Sequence, residues 1–442
     1  MKSNKRCVWF MALTVLAGPL APRGRSQQMT SFERERALQM LDDIAHDVQK
    51  HYYDPTFHGM DWNAKVLEEK QKIKLETSLN ISLAHIAAAL DSLNDSHTFF
   101  LPPRRPYHHD YGFQMEAIGD RCYITRVRPG SDAEAKGVKR GDEVLDIDGW
   151  HPEREILWKW TYRYNTLRPA NGLRLALRDP EGHQRQVDVA AKFKETKRVT
   201  DLTLSNGGSD VWDEVRQQET QQHLMRARIE EMGDELMILK VPQFFFGQDE
   251  VDRWIDKARK HQALIVDLRG NPGGAVDTLK YLVGDIFEDE VKIADRVGRK
   301  DQKPEVAKSR GRAFTGKVAV LVDSKSASCA ELFARIVQLQ KRGVVMGDRS
   351  SGSVMEARRY SYHIGTDVVV FFGASITESD LVMSDGKSLE HTGVTPDEIV
   401  LPTAADLASG RDPVLSHAAV TLGVKLSPEE AGKLFPFEWR PE

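Results

Sequence analysis

The stretches ALIVDLRGNPGG at residues 263–274 and VAVLVDSKSASCAELFARIVQLQ at residues 318–340 decide the fold of this chain. Each begins with a short apolar run, Ala263–Val266 or Val318–Val322, whose length and β-branched content are typical of a buried parallel strand. Each run leads into a sharp turn and then into a helical pattern. The two stretches therefore predict an α/β fold, in which functional sites form at such turns.

The two turns carry complementary chemistry. In the first turn, Gly273 and Gly274 remove side chains, so backbone N–H groups can approach a ligand. In the second turn, Ser328 and Cys329 precede a predicted helix at Glu331–Gln340, whose unpaired N–H groups favour a developing negative charge. One turn can supply a nucleophile and the other oxyanion donors, although either could also be a purely structural turn.

Taken together, DLRGNPGG followed by VDSKSASCAELFA resembles the core of the C-terminal processing (tail-specific) serine peptidases, a family that also includes the tricorn core protease. The resemblance implies an α/β, mixed-sheet, crotonase-like (ClpP/crotonase type) catalytic core. It places the nucleophile at Ser328 and the oxyanion donors at the backbone N–H groups of Gly274 and Cys329.

The base that activates the serine is not the one used in the tail-specific branch. That branch uses a lysine in a TFGKG-type segment, and the equivalent segment here, DRSSGS at residues 348–353, has Ser353 in its place. Lys325 and Lys341 do not match the family position, although a lysine from elsewhere in the chain is still an alternative.

The tricorn branch uses an upstream Ser-His pair and a downstream glutamate instead. LNDSHTFFLPP at residues 93–103 contains Ser96 and His97, and SLEHTGVTPDEIV at residues 388–400 resembles the segment that supplies the acid. The resemblance therefore implies His97 as general base, with Ser96 and Glu390 orienting its imidazole. Glu378 is the competing candidate for the acid.

A separate unit lies between these segments. YGFQMEAIGDRCYITRVRPGSDAEAKGVKRGDEVLDIDG at residues 111–149 is similar to a PDZ domain. The resemblance implies that Tyr111, Gly112, Phe113 and Gln114 form a carboxylate-binding loop, which would take a peptide C-terminus as an added strand. The alternative is a module that only braces or closes the catalytic domain.

Composition and charge exclude several classes of function. The 62 Lys and Arg residues against 66 Asp and Glu residues give a net charge of -4, which argues against a nucleic-acid partner. With 3 cysteines in 442 residues, the chain is not a disulfide scaffold. The run His108, His109 and Asp110 lacks a third spaced ligand, so we predict neither a metal site nor a cofactor.

The N-terminal residues resemble an export signal. Lys2, Lys5 and Arg6 precede an apolar stretch at residues 7–21 that is too short for a comfortable membrane span. We therefore expect an exported, periplasmic or extracellular protein without stable membrane insertion, although an uncleaved amphipathic start is the alternative.

The domain organisation follows from these segments. We predict a signal peptide at residues 1–28, an N-terminal helical domain at 29–106 that leads to the Ser-His motif, a PDZ domain at 107–194, a linker at 195–234 and a tail-specific protease catalytic domain at 235–442.

The predicted function is that of a serine endopeptidase acting on unfolded or C-terminal segments of proteins. A catalytically inactive peptide- or ligand-binding protein on the same fold is the alternative, because the family lysine is missing. Neither the physiological substrate nor the oligomeric state follows from the sequence.

Overall fold

A computed structural model describes residues 28–105, 107–195, 220–366 and 369–440. The predicted signal peptide up to residue 27 and residues 196–219 of the predicted linker lie outside the described residues. The helices, in chain order, are α1 (Ser31–His51), α2 (Trp62–Leu75), α3 (Leu79–Asp91), α4 (Asp132–Ala135), α5 (Leu157–Tyr162), α6 (Gln248–Ala258), α7 (Val276–Ile286), α8 (Cys329–Leu339), α9 (Ala404–Ser409), α10 (Pro413–Thr421) and α11 (Pro428–Ala431).

The strands form several separate sheets. In chain order they are β1 (Phe99–Leu101), β2 (Tyr107–Asp110), β3 (Phe113–Ile118), β4 (Arg121–Val127), β5 (Glu143–Ile147), β6 (Gly172–Arg178), β7 (Gln184–Ala190), β8 (Lys192–Glu195), β9 (Arg228–Met232), β10 (Leu236–Lys240), β11 (Ala263–Asp267), β12 (Val291–Gly298), β13 (Glu305–Ala307), β14 (Lys317–Val322), β15 (Val344–Gly347), β16 (Met355–Ile364), β17 (Val370–Val382) and β18 (Glu398–Ile399).

The central sheet has the strand order β18-β15-β14-β11-β10-β9. Strands β10, β11, β14, β15 and β18 run parallel to their neighbours, and β9 pairs antiparallel with β10 at one edge. The two strands that the sequence predicted most strongly lie side by side, with Val266 opposite Val320. The predicted α/β architecture with a mixed sheet is confirmed.

Helices cover both faces of this sheet. Leu264 and Val266 pack with residues of α6, α7 and α8, whereas Ala263 and Ile265 pack with residues of α10 and α11. Successive residues of a strand point to opposite faces, so a run that is apolar at every position needs cover on both sides. Burial of both faces explains why all five residues of β11 are buried.

One predicted strand belongs to a different sheet. The apolar run at residues 368–372, of which residue 368 lies outside the described residues, predicts a fourth strand of the same mixed sheet. Residues 370–372 do form a strand, but it is the start of β17, which pairs antiparallel with β1, β12 and β16. Phe372, Ala374 and Ile376 of β17 pack against the N-terminal helices. A short apolar run indicates a strand, but it carries no information about the sheet that the strand joins.

Strand β1 connects the N-terminal helices to the C-terminal half of the chain. It pairs with β17, with Phe100 opposite Ala374. Phe100 is fully buried in the core shared by α1, α3 and β17. Because Ser96 and His97 directly precede β1, this pairing determines where they lie.

Residues 113–190 form a separate antiparallel sheet in the order β3-β4-β5-β6-β7. This small unit has its own apolar core, which includes Ile124 and Leu175. It contacts the central domain through Arg154, whose guanidinium donates to Asp348 at 2.8 Å and to the Arg349 carbonyl.

We expect Phe100→Ala to lower the free energy of unfolding by about 3–5 kcal/mol, because it leaves a cavity where β1 meets the helices. Urea denaturation measures the change. Phe371→Ala is the matched control, since Phe371 is 71% exposed on the neighbouring strand. Equal effects of the two substitutions would contradict the role assigned to β1.

Candidate active site

Ser328 lies in the tight turn between β14 and α8. Its backbone has φ 55° and ψ -120°, a left-handed conformation that is unfavourable for any residue other than glycine. Its N–H donates to the Ser353 carbonyl at 2.8 Å and to Glu331 Oε2 at 3.0 Å. Residues in such strained conformations are concentrated at functional sites, where the surrounding structure holds them in place.

The glycine-rich turn after β11 packs directly against Ser328. A Cβ atom built on Gly273 would lie 2.6 Å from the Ser328 Cβ, so only glycine fits there. A Cβ atom on Gly274 would lie 2.4 Å from the Phe244 carbonyl oxygen. The two predicted elements, a serine turn and a glycine turn, are therefore in contact.

The orientation of the Gly274 amide follows from its neighbours. Phe244 N–H donates to the Gly273 carbonyl at 2.8 Å, and Ala275 N–H donates to the Phe244 carbonyl at 2.6 Å. Gly274 lies between Gly273 and Ala275, and in an extended strand its own N–H and carbonyl point away from Phe244. On that side the Cys329 thiol donates to the Gly274 carbonyl at 3.4 Å. The Gly274 amide thus faces the start of α8, where the Cys329 amide has no intrahelical acceptor.

Asn271 holds the glycine turn in shape. Its side chain donates to the Val241 carbonyl at 2.8 Å and accepts from the Gly273 N–H at 2.8 Å. Its backbone carbonyl accepts from the Ala327 N–H at 2.9 Å. Asn271 is fully buried, and it connects the glycine turn to the serine turn.

Ser96, His97 and Glu390 form one hydrogen-bonded network. The Ser96 N–H donates to Glu390 Oε1 at 2.7 Å, and its hydroxyl donates to Glu390 Oε2 at 2.8 Å. Ser96 Oγ lies 2.7 Å from His97 Nδ1. The competing acid, Glu378, accepts a hydrogen bond from the Tyr360 hydroxyl instead.

This network selects the tautomer of His97. The single hydroxyl proton of Ser96 is donated to Glu390, so Ser96 Oγ must accept from His97 Nδ1–H. The other ring nitrogen, Nε2, then carries a lone pair and can take a proton. The His97 backbone is held by its own N–H, which donates to Asp95 Oδ1 at 2.9 Å.

One peptide group joins the histidine network to the serine turn. The carbonyl of Ser353 accepts from the Ser328 N–H at 2.8 Å. The N–H of the same peptide group, which belongs to Val354, donates to Glu390 Oε2 at 2.8 Å. The backbone of Ser353 therefore connects the two halves of the candidate site.

Glu331, to which we assigned no role from the sequence, anchors the same loop. Its fully buried carboxylate accepts from the N–H groups of Ser328, Gly352 and Ser353 and from the Ser350 hydroxyl, over 2.5–3.0 Å. Burial raises the pKa of Glu331 to about 7. The hydrogen bonds to its carboxylate act in the opposite direction, because they stabilise the anion. The sequence signal was its position three residues after Ser328, at the first turn of α8.

Burial shifts the other titratable groups of the site. Desolvation lowers the pKa of His97 from 6.5, and the negative charge of Asp95 opposes that shift. Desolvation raises the pKa of Glu390, against hydrogen bonds from Val354 and Ser96. It also raises the pKa of the buried Cys329 thiol to about 12, so this thiol is not a nucleophile near neutral pH.

The predicted carboxylate-binding loop lies in the small unit. Gly112 has φ +76°. Its N–H donates to Asp110 Oδ1 at 2.7 Å, and its carbonyl accepts from the Arg128 N–H at 2.8 Å. Tyr111 is buried, whereas Phe113 and Gln114 begin β3.

The remaining candidates lie elsewhere. Lys325 forms an ion pair with Glu116 at 3.2 Å. His391 Nε2–H donates to the Asn94 carbonyl at 2.8 Å. Within residues 28–440, as far as the structure describes them, no group of His, Cys, Asp and Glu side chains is arranged to hold a metal ion.

Residues 235–400, which contain both turns and Glu390, match the model of peptidase family S41. The match covers less than half of the chain, and the resemblance to the tail-specific serine peptidases is confirmed.

Named relatives agree with the family match. A tail-specific protease of Haemophilus influenzae is 24% identical over 326 residues, covering 69% of this chain but only 43% of that protein. A carboxyl-terminal-processing protease of Synechocystis is 22% identical over 441 residues, covering 95% of this chain and 91% of that protein. The chain thus spans less than half of the first relative and most of the second.

A solved structure shows a similar fold. The crystal structure of mature CPAF aligns with a TM-score of 0.63 at 17% identity, covering 86% of this chain and 95% of the other. The similarity of fold therefore extends beyond residues 235–400.

If His97 is the base, we expect the acidic limb of kcat/KM to be centred below pH 6.5, because burial lowers the pKa of its imidazole. The neutral, active form then persists to lower pH. A pH–rate profile measures the midpoint, and Asp95→Asn should lower it further by removing a nearby negative charge. A midpoint above 6.5 would contradict the assignment.

Proposed function

We propose that this chain is a serine endopeptidase that cleaves unfolded or C-terminal segments of proteins, with Ser328 as nucleophile and His97 as general base. The observation that carries the proposal is the peptide group of Ser353 and Val354, which is hydrogen-bonded to Ser328 on one side and to Glu390 on the other. This connection joins the serine turn to the histidine network.

The reaction follows the general course of serine hydrolysis. His97 Nε2 takes the proton of Ser328 as its Oγ attacks the scissile carbonyl, and the tetrahedral oxyanion forms against the Gly274 and Cys329 amides. The imidazolium then protonates the leaving amine, and water hydrolyses the acyl-enzyme. Ser96 accepts from Nδ1–H throughout, and Glu390 holds Ser96 in that orientation.

Two features favour an enzyme over an inactive binding protein. Ser328 keeps a strained backbone that simple ligand binding does not require. The lone pair of Nε2, which remains once Ser96 has accepted from Nδ1–H, is the group that a base needs. A binding protein that has lost catalysis has no use for either.

The finer architecture is part of the same proposal. We assign residues 235–442 to a crotonase-like catalytic domain, 29–106 to an N-terminal helical domain and 107–194 to an inserted PDZ domain. The independent core of the small unit and its five-stranded sheet support the last assignment. The N-terminal helices share their core with β17.

The PDZ-like unit would select the ends of substrate chains. Its Gly112 amide is taken by Asp110 in this structure, so a substrate carboxylate has to compete with that side chain. Arg128, which forms an ion pair with Asp110 at 2.6 Å, is a second donor beside the loop. Its guanidinium also donates to the Arg440 carbonyl at 3.1 Å, which supports a role in binding peptide backbone.

The proposed partners are protein or peptide substrates, in an exported setting that is periplasmic or extracellular. None of the helices in the described part of the chain combines the length and the apolar character that a membrane crossing requires.

We expect Ser328→Ala and His97→Ala each to lower casein hydrolysis by about 10⁶-fold, because the nucleophile and its base act as a unit. Reaction with a fluorophosphonate probe should label the wild type and not Ser328→Ala. The exposed Ser351 and His183 supply matched controls, Ser351→Ala and His183→Ala, which should retain activity. Equal hydrolysis by all variants would remove the assignment, and lack of labelling of the wild type would favour a binding protein.

For end recognition, we expect amidation of a peptide's C-terminus to lower kcat/KM by about tenfold or more, because hydrogen bonds to a charged group contribute about 1.5–3 kcal/mol. Gly112→Ala should remove this discrimination, since its Cβ would lie 2.4 Å from the Ser131 Cβ. Gly112→Ala should still cleave the amidated peptide at the wild-type rate, which would show that its catalysis is intact. Equal rates on both peptides with the wild type would indicate a bracing role.

A further inference from the structure

Residues 435–440, which we call the strap, lie against the small unit and contact it through two aromatic rings. The guanidinium carbon of Arg126 lies 4.0 Å from the centre of the Phe437 ring, and that of Arg128 lies 4.4 Å from the centre of the Trp439 ring. A guanidinium group over an aromatic face at such a distance is attracted by the electron-rich ring. The strap therefore makes two matched contacts with β4, at alternate positions of both partners.

The side chain between the two rings points the other way. Glu438 forms an ion pair with Arg226 at 2.8 Å and lies 2.8 Å from His223 Nε2, on the segment that leads into β9. Side chains that alternate in direction are typical of an extended chain. The sequence aromatic–acidic–aromatic thus fits a surface that offers guanidinium groups to the rings on one side and a cation to the acid on the other.

The backbone of the strap is held at both of its ends. Arg228 donates to the Pro436 carbonyl at 2.7 Å, and Arg128 donates to the Arg440 carbonyl at 3.1 Å. Every peptide has such carbonyl groups, so these hydrogen bonds favour a peptide without selecting its sequence. Selection depends on the two rings and on the acid between them.

A competing peptide can replace the contacts of the strap. Phe437 is 40% exposed, and the side chains of Arg226 and Glu438 are 38% and 35% exposed. Guanidinium–ring contacts and ion pairs at such exposed positions are individually weak. The strap nevertheless keeps a free peptide off the surface, because its attachment to the chain gives it a high effective concentration.

The surface under the strap belongs to the part of the small unit that contacts the serine turn. In β3, the neighbour of β4, Glu116 forms an ion pair with Lys325 at 3.2 Å. The next residue, Ala117, accepts a hydrogen bond from the Ser324 hydroxyl through its carbonyl at 2.5 Å. Both partners lie on the segment that leads to Ser328. A peptide in place of the strap would therefore be held close to the proposed nucleophile.

The charges around Arg126 favour an aromatic ring over a basic side chain. Burial lowers the pKa of Arg126 to about 10, and the positive charges of Arg228 and Arg269 act in the same direction, against the negative charge of Glu116. A basic side chain in place of Phe437 would meet repulsion from these cations. An aliphatic side chain would cover the guanidinium without offering it a ring face.

We propose that the surface formed by Arg126, Arg128 and Arg226 binds protein segments with the pattern aromatic–acidic–aromatic, and that the strap is its internal ligand. A substrate segment of this kind displaces the strap and is then held beside the turn that leads to Ser328. The role of these segments as substrates rests on the proposed peptidase function, whereas their binding is measured without hydrolysis.

Binding is measured on the full chain with Ser328→Ala by fluorescence anisotropy, with a labelled, end-capped peptide of the sequence of residues 435–440. Adding Phe437→Ala and Trp439→Ala, which gives the vacated chain, should tighten binding about tenfold or more, because the strap no longer competes. A peptide with leucine in place of both rings should bind the vacated chain about fivefold or more weakly. Equal binding by the parent and the vacated chain, or equal binding of the two peptides, would overturn the proposal.

Three further variants locate the contact and provide a second route if the vacated chain does not fold. Arg126→Met in the vacated chain should weaken binding about fivefold or more. Arg121→Met is the matched control on the same strand, where the side chain is 62% exposed, and should bind as the vacated chain does. In the Ser328→Ala parent, Glu438→Lys places a like charge opposite Arg226, keeps both rings and should tighten binding about threefold or more. Full binding by Arg126→Met, or no gain from Glu438→Lys, would refute the proposal.

The active chain separates this inference from the proposed function. A peptide with the aromatic–acidic–aromatic pattern should be cleaved with a higher kcat/KM than its leucine counterpart, and Arg126→Met should abolish the difference. Equal cleavage of both peptides, without selective binding by the vacated chain, would refute the inference and leave the peptidase assignment intact. Selective binding without any cleavage would refute the proposed function and leave the surface as a peptide-binding site.

Discussion

The candidate active site depends on the hydrogen bonds at the two ends of one peptide group, that of Ser353 and Val354. Its carbonyl accepts from the Ser328 N–H, and its N–H donates to Glu390. A trans peptide directs these two groups in opposite directions, so a single rigid plane separates the serine turn from the histidine network. Ser353 thus contributes to the candidate site through its backbone carbonyl and N–H.

The loop that contains this peptide group is held by a buried carboxylate. Glu331 accepts four hydrogen bonds from Ser328 and the 350–353 loop. An anion in an apolar interior is unfavourable unless several donors surround it, and here the donors are the groups that have to be positioned. The same arrangement that satisfies Glu331 keeps Ser328 in its strained conformation.

The histidine is brought to the site by sheet pairing rather than by sequence proximity. Strand β1 follows His97 within two residues and pairs with β17, and Asp95 Oδ1 accepts from the Thr377 hydroxyl of β17. The N-terminal helices then bury Phe100 and Phe372 in one core. The stability of that core and the position of the proposed base, His97, are therefore linked.

Much of this protein could be predicted from its sequence, because local chemistry determines local structure. The apolar runs at 263–266 and 318–322 indicated adjacent parallel strands, and the turns after them indicated a serine beside glycine amides. The pairing of Ser96 with Glu390 and not Glu378, the sheet that β17 joins, and the roles of Glu331, Asn271 and Asp95 depended on contacts between residues up to 294 positions apart. Periodicity and motif spacing describe neighbours along the chain, whereas hydrogen-bond partners, burial and cavities are set by which distant surfaces pack together, and only the tertiary structure decides that.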